Sequence, residues 1–458
     1  FKLSPFEIIY IVLIAWGALQ HLYKKEKRKN SILLYKIIFS IFLIHFFLEQ
    51  YRWQMLPAYL LGITLIFNYN KNISHAMKTL FFVWLLIATL IPTLIPIIKM
   101  PPLRGEYIVG STTHHWIDAQ RKEWFTDEPN DVRQIMVQFW YPGKKQKTLI
   151  NTPYLDNINL RAETMAKAGK FPKQLIKHLE LTKTNSYLDL QADPTAAPLP
   201  IVIISHGITG MRHIHTALAE KLSNNGYLVV AVDHSYDANL TIFPDGSIAD
   251  YKSDITGHSD SVTIRRKQIN TRESDVSFII SQLQKIQTGI IKHQLNGFLD
   301  LDRIAVAGHS YGGGTSVLAS YQNTQIKATL LLDGWMNPLP QKVIENGIDQ
   351  PLIYIGRPKW SDSDYPTNTD LVAKLMDNSK GKNYYLNISG TLHLNYCDAP
   401  LFSPLAKHVL DVGEMNGPKS VNLINEISLQ FFDQHLRANS KQSKILNKIE
   451  KHDEIVFN

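Results

Sequence analysis

Apolar residues are unevenly distributed along the chain, and the first hundred positions contain four long apolar runs. Each run has 17 to 22 mostly uncharged residues; they lie at about 5–22, 32–48, 53–69 and 77–98. A helix rises 1.5 Å per residue, so about 20 apolar residues can cross the hydrocarbon core of a bilayer. Lys36 and Pro57 interrupt the second and third runs near their starts. A lysine near a helix end can extend its ammonium group to the membrane–water interface. A proline in the first turn removes only an N–H that has no partner within the helix. The pattern predicts four transmembrane helices over residues 1–99.

Beyond residue 100 the pattern changes to short apolar runs that alternate with amphipathic stretches. Seven runs have the near-continuous apolar character of buried strands: 134–142, 199–207, 228–234, 303–310, 328–334, 351–356 and 383–390. Helical stretches at 215–226 and 272–286 fall between them. Such alternation is typical of a mostly parallel sheet with helices on both faces. We therefore predict an α/β domain over 100–458, in which 150–197 offers no evident strand and forms an insertion near the functional site.

The formal net charge of +8 belongs entirely to the apolar region. Residues 1–100 contain 11 basic and 3 acidic residues, whereas the remaining 358 contain 37 of each. The basic excess therefore flanks predicted membrane helices and gives no support to a nucleic-acid-binding function.

The positions of the basic residues also predict an orientation. The segment "KKEKRKN" at 24–30 places five basic residues in the first connection, and Lys71 and Lys78 flank the third, whereas the second has only Arg52. Loops rich in lysine and arginine face the cytoplasm, so the domain after the helices is predicted to be extracytoplasmic. The five basic residues after the first run also disfavour its cleavage as a signal peptide.

A serine between glycines, in "VAGHSYGGGTS" at 306–316, is a candidate nucleophile. Ser310 follows a predicted strand and precedes small residues that can begin a helix. A strand-to-helix turn this tight requires glycine two residues before and two after the serine, and Gly308 and Gly312 meet that requirement. The chain also contains "TGHSDSV", but there Ser259 follows no apolar strand and position 261 is serine. We interpret the second segment as a surface loop.

A serine hydroxyl needs a histidine base and a carboxylate that orients the histidine. Asp333 directly follows the next apolar strand, and His393 follows the last predicted strand, so both have the chain order expected for this fold. Isolated acids and histidines are often ordinary turn residues, and it is their position after successive strands that singles these two out. The backbone N–H groups of Tyr311 and Ile208, the latter in the glycine-containing segment 204–212, are candidate oxyanion donors.

Five separated segments together resemble the plasma-type (group VII) platelet-activating factor acetylhydrolases, a branch of the α/β-hydrolases. In chain order they are "IVIISHGITGMR", "VVAVDH", "IAVAGHSYGG", "LLLDGWMNPL" and "SGTLHLNYCD". The similarity extends upstream to "RGEYIVGSTTHHWIDAQR" and "MVQFWYP", so it covers most of residues 104–435.

The resemblance implies the same site residues: Ser310 as nucleophile, Asp333 as acid, His393 as base, and the backbones of Ile208 and Tyr311 as oxyanion donors. It also implies calcium-independent hydrolysis of short or oxidised acyl chains at the sn-2 position of phospholipids. The N-terminal apolar helices depart from the secreted members of the family and leave the substrate open.

The sequence thus predicts a membrane-anchored serine ester hydrolase that forms an acyl-enzyme and acts on short-chain or lipid-like esters. We expect no cofactor and no metal site, because His114 and His115 are adjacent and cannot face one point from a strand. Cys397, the single cysteine, excludes an internal disulfide and is interpreted as a packing residue. Two alternatives remain: acyl transfer to an alcohol or amine by the same triad, and a non-catalytic membrane receptor or assembly protein on a hydrolase scaffold.

Overall fold

A computed structural model of the 458-residue chain describes residues 3–23, 31–49, 51–68, 74–255, 258–361, 363, 365–437 and 453–457. The helices are α1 (Pro5–Tyr23), α2 (Ser31–Leu48), α3 (Leu56–Phe67), α4 (His75–Leu94), α5 (Ile158–Gly169), α6 (Gln174–Lys177), α7 (Thr216–Asn224), α8 (Ser261–Gln287), α9 (Tyr311–Gln322), α10 (Gln341–Asn346), α11 (Asn368–Asn378), α12 (Ala406–Val409) and α13 (Gly417–Leu436). The strands are β1 (Ile108–Lys122), β2 (Val132–Gly143), β3 (Asn151–Pro153), β4 (Lys183–Leu188), β5 (Leu199–Ser205), β6 (Leu228–Asp233), β7 (Leu240–Ile242), β8 (Ile248–Asp250), β9 (Leu299–His309), β10 (Ile326–Leu332), β11 (Leu352–Gly356), β12 (Asn383–Ile388) and β13 (Ile455–Phe457).

An 11-stranded sheet forms the centre of the domain, in the order β13-β12-β11-β10-β9-β5-β6-β2-β1-β4-β3. The six strands from β12 to β6 are parallel to one another. Antiparallel pairing joins β2 to β6 and β1 to β2 on one side, and β13 to β12 on the other. The carboxyl ends of the six parallel strands therefore meet at one edge of the sheet, where the loops that follow them can form a common site.

Helices cover both faces of the sheet because neighbouring residues of each central strand point to opposite sides. Val202 and Ile204 of β5 pack in a buried cluster with α7 and α13. Ile201 and Ile203 pack in another cluster with α8. Further along the same face, α9, α10 and α11 enclose a third cluster. The prediction of a mostly parallel sheet covered on both faces is confirmed.

All seven predicted strands are present, as β2, β5, β6 and β9 to β12. The segment 150–197 differs from expectation, because it contributes β3 and β4 to the edge of the sheet next to β1. These strands are short and partly exposed, so they lack the continuous apolar run that marks a central strand. Between them lie α5 and α6, which belong to an apolar cluster beside the site.

The four N-terminal apolar runs form α1 to α4, which pack around a shared cluster that includes Tyr10, Ile38, Tyr59, Leu61 and Phe81. Within the described residues, only α4 is long and apolar enough by itself to cross a membrane. The apolar parts of the other three are shorter. In α1 and α2 they cover Pro5–Gln20 and Ile32–Leu48. The third is shortened because a 3₁₀ turn at Trp53–Met55 precedes the 12-residue α3. Of the four predicted transmembrane helices, only α4 thus has the length and composition to cross a membrane among the described residues. The prediction is not supported for α1, α2 and α3. The segment 24–30 and Lys71, on which the predicted orientation depends, lie outside the described residues.

The helical region contacts the α/β domain beside the insertion helices. Trp53 donates a hydrogen bond from Nε1 to the carbonyl of Gln174 at 3.2 Å, and the Ser403 hydroxyl donates to the carbonyl of Leu94 at 2.5 Å. Ile98, just after α4, packs in the apolar cluster that contains α5 and α6. The exit from the helical region is therefore short, and the domain lies directly against it.

Candidate active site

Ser310 occupies a sharp turn between β9 and α9, with φ at +56°. A side chain at Gly308 would meet the carbonyl oxygen of Gly312, and one at Gly312 would meet the carbonyl of Ser205 in the adjacent β5. Both obstacles are backbone atoms of the buried sheet and its turn, so neither position admits a Cβ. The turn places the serine at the N-terminus of α9 and at the carboxyl edge of the sheet.

Asp333 and His393, from the ends of β10 and the segment after β12, meet at this edge. The Nδ1 atom of His393 lies 2.6 Å from Oδ2 of Asp333, whose side chain is fully buried. Asp333 has φ at +46°, which turns its carboxylate from the end of β10 towards the histidine. This contact fixes the ring orientation and leaves Nε2 of His393 as the proton acceptor.

Three further residues, none of them predicted from the sequence, surround the carboxylate of Asp333. Oδ1 of Asp333 accepts hydrogen bonds from the Tyr354 hydroxyl and the Arg357 backbone N–H, both at 3.0 Å. The Arg357 guanidinium approaches Oδ2 at 3.1 Å and lies over the Trp360 ring at 4.0 Å. Trp360 donates to the Tyr354 hydroxyl at 3.0 Å. The acid is therefore held from several sides, and no spacing along the chain marks these partners.

Ser310 and His393 line the same cavity, of about 350 Å³. Apolar side chains from the insertion, from the loop after β5 and from the segment after His393 form much of its wall: Met165, Phe171, Ile176, Met211, Ile214, Leu394, Phe402 and Leu410. Among the described residues, the His393 ring has its hydrogen bond with Asp333, and none joins it to the Ser310 hydroxyl. The cavity brings the candidate nucleophile and base to one apolar space.

Ile208 and Tyr311, the two predicted oxyanion donors, belong to two backbone segments next to Ser310. A Cβ at Gly207 would come within 3.1 Å of the Ser310 Cβ, so the segment 206–210, which we call the oxyanion loop, passes directly beside the serine. Neither the Ile208 N–H nor the Tyr311 N–H donates a hydrogen bond to another described residue. Tyr311 is the first residue of α9, where backbone N–H groups have no partner within the helix. Both N–H groups are thus available to an oxyanion.

His309, next to the serine, was not selected from the sequence. Its ring lies 4.6 Å from that of His393, and its Nε2 donates to the His393 carbonyl at 3.0 Å. Burial holds the pKa of His309 well below its usual range, so the ring is neutral. A neutral ring here supports the backbone of His393 without adding a charge beside it. The sequence feature that could have identified His309 is its position inside the glycine-serine motif, directly before Ser310.

The second Gly-His-Ser segment has a different environment. Ser259 is exposed in a turn that leads into α8, and the side chain of Asp260 caps that helix by accepting from Thr263 N at 3.3 Å. The surroundings of Ser259 agree with the interpretation as a surface loop.

Cys397 lines the cavity but is buried, and its Sγ contacts the carbonyl of Leu394 at 3.3 Å. Burial raises the pKa of its thiol to about 12, which disfavours the nucleophilic thiolate. His114 and His115 point to different partners, Nε2 of His293 at 3.3 Å and Gln134 at 2.7 Å. In the part of the chain that the structure describes, no group of three or more metal-ligating side chains occurs.

Comparison with known proteins agrees with this architecture. A family model described as "Platelet-activating factor acetylhydrolase, isoform II" matches residues 94–456. The chain belongs to this family. The resemblance inferred from the five sequence segments is therefore confirmed.

Individual relatives of this family member align over different lengths. The platelet-activating factor acetylhydrolase of Canis lupus familiaris is 27% identical over 263 residues, which cover 53% of this chain and 58% of the relative. The Cavia porcellus protein of the same name is 25% identical over 364 residues, covering 74% of this chain and 78% of the relative. The aligned part of the chain thus spans 58% of the length of the Canis lupus familiaris protein.

A solved structure shares the fold of this family member. The ferulic acid esterase of Streptomyces cinnamoneus superposes with a TM-score of 0.63 over 79% of this chain and 99% of its own, at 23% identity. This likeness identifies the domain as an α/β-hydrolase fold.

Proposed function

We propose that this family member is a serine carboxylic ester hydrolase in which Ser310, His393 and Asp333 act as a triad. The observation that carries the proposal is the 2.6 Å contact between His393 Nδ1 and Asp333 Oδ2 at the rim of a cavity that Ser310 also lines. The three side chains come from the ends of three parallel strands of one sheet. Their convergence at one edge is the arrangement in which the triad acts on several unrelated folds.

In the acylation half-reaction, Nε2 of His393 removes the proton of the Ser310 hydroxyl as Oγ attacks the ester carbonyl carbon. The carbonyl oxygen becomes an oxyanion, which accepts hydrogen bonds from the N–H groups of Ile208 and Tyr311. Asp333 stabilises the imidazolium without itself taking the proton. The imidazolium then protonates the leaving alcohol, and the acyl group stays on Ser310.

In the deacylation half-reaction, a water molecule takes the place of the alcohol. His393 removes a proton from it as the water oxygen attacks the acyl carbon. Collapse of the second tetrahedral intermediate returns the proton to Ser310 Oγ and releases the carboxylic acid. An alcohol or amine entering instead of water would give acyl transfer, and product analysis with competing acceptors separates the two reactions.

The cavity wall favours esters with an apolar acyl group. Its residues are mostly aliphatic or aromatic, and Asn239 is a polar side chain among them. The names of the relatives, acetylhydrolases and a "Probable 1-alkyl-2-acetylglycerophosphocholine esterase" from Arthroderma benhamiae, are consistent with short acyl groups on lipid-like alcohols. We therefore place the substrate among short-chain or lipid-like esters.

We further propose that the N-terminal helices anchor the domain to a membrane, with the site on the extracytoplasmic side. The outward faces of these helices expose large apolar side chains, among them Trp16 at 59%, Leu33 at 66%, Phe47 at 75% and Leu80 at 55%. Apolar surface of this extent needs a covering in water, and acyl chains of a bilayer provide one. Protease protection of the domain in sealed vesicles tests the orientation.

The proposed activity is tested with short p-nitrophenyl esters and a fluorophosphonate probe on the full chain. We expect hydrolysis by the wild type, covalent labelling at Ser310, and loss of both in Ser310→Ala. Labelling of another residue, or hydrolysis that persists in Ser310→Ala, would contradict the assignment of Ser310 as the nucleophile. Absence of hydrolysis and labelling in the wild type would favour a non-catalytic scaffold.

A further inference from the structure

An arginine of α8 contacts the oxyanion loop from behind. The guanidinium of Arg272 donates from Nη1 to the carbonyl of His206 at 2.6 Å and from Nη2 to the carbonyl of Gly207 at 3.3 Å. The same guanidinium carbon lies 4.4 Å from the ring centroid of Tyr311. The side chain is 1% exposed, so it has no direct access to solvent. One cation therefore contacts the backbone of the oxyanion loop and the aromatic ring of Tyr311, the residue after Ser310.

The contact with the Gly207 carbonyl determines where the Ile208 N–H points. In a trans peptide the C=O and the following N–H are antiparallel, and the one cis bond among the described residues is Ala197–Pro198. A Gly207 carbonyl held towards α8 therefore directs the Ile208 N–H to the opposite side. Ile208 and Gly207 both line the cavity that contains Ser310.

A second donor supports the same carbonyl. Nε2 of His206 accepts from the His234 backbone N–H at 3.1 Å, so Nδ1 carries the proton and donates to the Gly207 carbonyl at 2.6 Å. Burial and the nearby Arg272 lower the pKa of His206 to about 3, which keeps this ring neutral. The carbonyl is thus held by two donors from two different elements.

Arg272 is itself held in place by an acid. Its Nε forms an ion pair with the carboxylate of Asp237, which is also buried. The guanidinium therefore cannot rotate away from the loop without leaving Asp237 unpaired. A rigid support of this kind reduces the reorganisation needed when charge develops at the oxyanion.

We infer that Arg272 is a positioning residue that holds the Gly207–Ile208 peptide so that the Ile208 N–H points at the oxyanion. The inference rests on the proposed function, because it assigns a role within that reaction. Arg272 does not touch the reacting atoms and acts only through the peptide. Its loss should therefore weaken binding of the transition state and leave binding of the ester nearly unchanged.

Arg133 provides a matched control. Its side chain is 2% exposed and pairs with Asp275 of the same helix α8 and with Glu123. It also donates to a backbone carbonyl, that of Ser235, at 2.9 Å. Among the described residues, Arg133 itself makes no hydrogen bond to the oxyanion loop, although its partner Asp275 contacts His234, whose backbone N–H donates to His206. Arg133→Lys thus alters a buried arginine and its ion pairs beside α8 without removing a direct contact with the oxyanion loop.

The experiment compares Arg272→Lys, the double variant Arg272→Met/Asp237→Asn and Arg133→Lys in the full chain. The double variant removes both charges, so no unpaired carboxylate is left to unfold the protein. With a soluble aryl ester we expect the double variant to lower kcat about 10- to 100-fold, with KM changed less than about twofold. Arg272→Lys should fall between it and the wild type, because one ammonium group cannot hold both carbonyls in the same way. Affinity for an alkylboronic acid, which mimics the tetrahedral state, should fall by the same factor as kcat.

Arg133→Lys should leave kcat and boronic acid affinity within about twofold of the wild type. A folded double variant with wild-type kcat overturns the inference, as does a loss that lies in KM alone or that Arg133→Lys reproduces. These results leave the proposed function intact, because it depends on the loss of activity in Ser310→Ala. A wild type that is inactive on every ester overturns both.

Discussion

The two Gly-His-Ser segments of this chain share three residues and almost nothing else. At Ser310 the motif ends a buried parallel strand, and the flanking glycines lie against backbone atoms. At Ser259 it lies in an exposed turn before α8, with an aspartate cap. The comparison indicates that the surroundings of the tripeptide, and not the tripeptide itself, distinguish Ser310 as the candidate nucleophile. Its position on the sheet supplies the support, the apolar cavity and the partners.

The strongest test of this comparison is to remove each hydroxyl in turn. Ser310→Ala should lower ester hydrolysis at least about 10⁴-fold, because the acyl-enzyme cannot form. Ser259→Ala should leave the rate unchanged. Initial rates with a soluble ester measure both, and comparable losses in the two variants would contradict the distinction.

Exchanging the residues two positions after each serine sharpens the comparison further. Gly312→Ser places a side chain against the Ser205 carbonyl of β5 and should lower the free energy of unfolding by about 3 kcal/mol. Ser261→Gly, at the first residue of α8, should cost less than about 1 kcal/mol. Denaturant unfolding in detergent measures both values.

The second exchange also completes the pattern Gly-x-Ser-x-Gly at 257–261. We expect it to create no nucleophile, because a catalytic serine also needs a base and oxyanion donors, which the pentapeptide does not itself supply. Fluorophosphonate labelling of the double variant Ser261→Gly/Ser310→Ala should be absent. Labelling at Ser259 would show that the pentapeptide alone suffices.

His309, the buried histidine of the motif at Ser310, should make the stability of the chain depend on pH. Burial holds the pKa of His309 well below 6.5, the ordinary value it regains on unfolding. The unfolded chain therefore binds the proton first, and His309 makes the free energy of unfolding fall as pH drops below 6.5. Its contribution is up to about 1.4 kcal/mol per pH unit. His309→Gln should remove that slope, and denaturant unfolding of this variant and the wild type over a series of pH values measures it.

The smallest expected effect concerns the helix that follows each serine. Asp260→Ala removes the cap of α8 and should cost about 1 kcal/mol. Ser310 precedes α9 but makes no capping hydrogen bond with its side chain, so Ser310→Ala should change stability by less than about 0.5 kcal/mol. Thermal unfolding of the two variants checks the expected order, and a larger loss in Ser310→Ala would contradict it.

Much of the central fold was predictable because parallel strands are buried on both faces. Strands such as β5 and β10 are nearly continuous apolar runs over 199–204 and 328–332, and the residues after them fall at one edge of the sheet. This is why Asp333 could be selected by position. The long β1 has mixed burial and mostly polar residues, so only the family resemblance indicated that its segment matters.

The supports of the site were not predictable from the sequence. Arg272, Arg357 and Tyr354 act through contacts with residues 21 to 66 positions away along the chain. Nothing local distinguishes them from other arginines and tyrosines. Helix lengths in the apolar region were also missed, since hydropathy shows where apolar residues lie but not where a 3₁₀ turn interrupts them.

The single cysteine has a practical consequence for mapping topology. Cys397 is buried beside the site and its thiol is largely protonated at neutral pH, so maleimides should react with it slowly. The native chain can therefore serve as a nearly silent background for site-directed labelling. One cysteine introduced into each connection of the helical region, tested with membrane-impermeant reagents, would then report directly which side of the bilayer that connection faces.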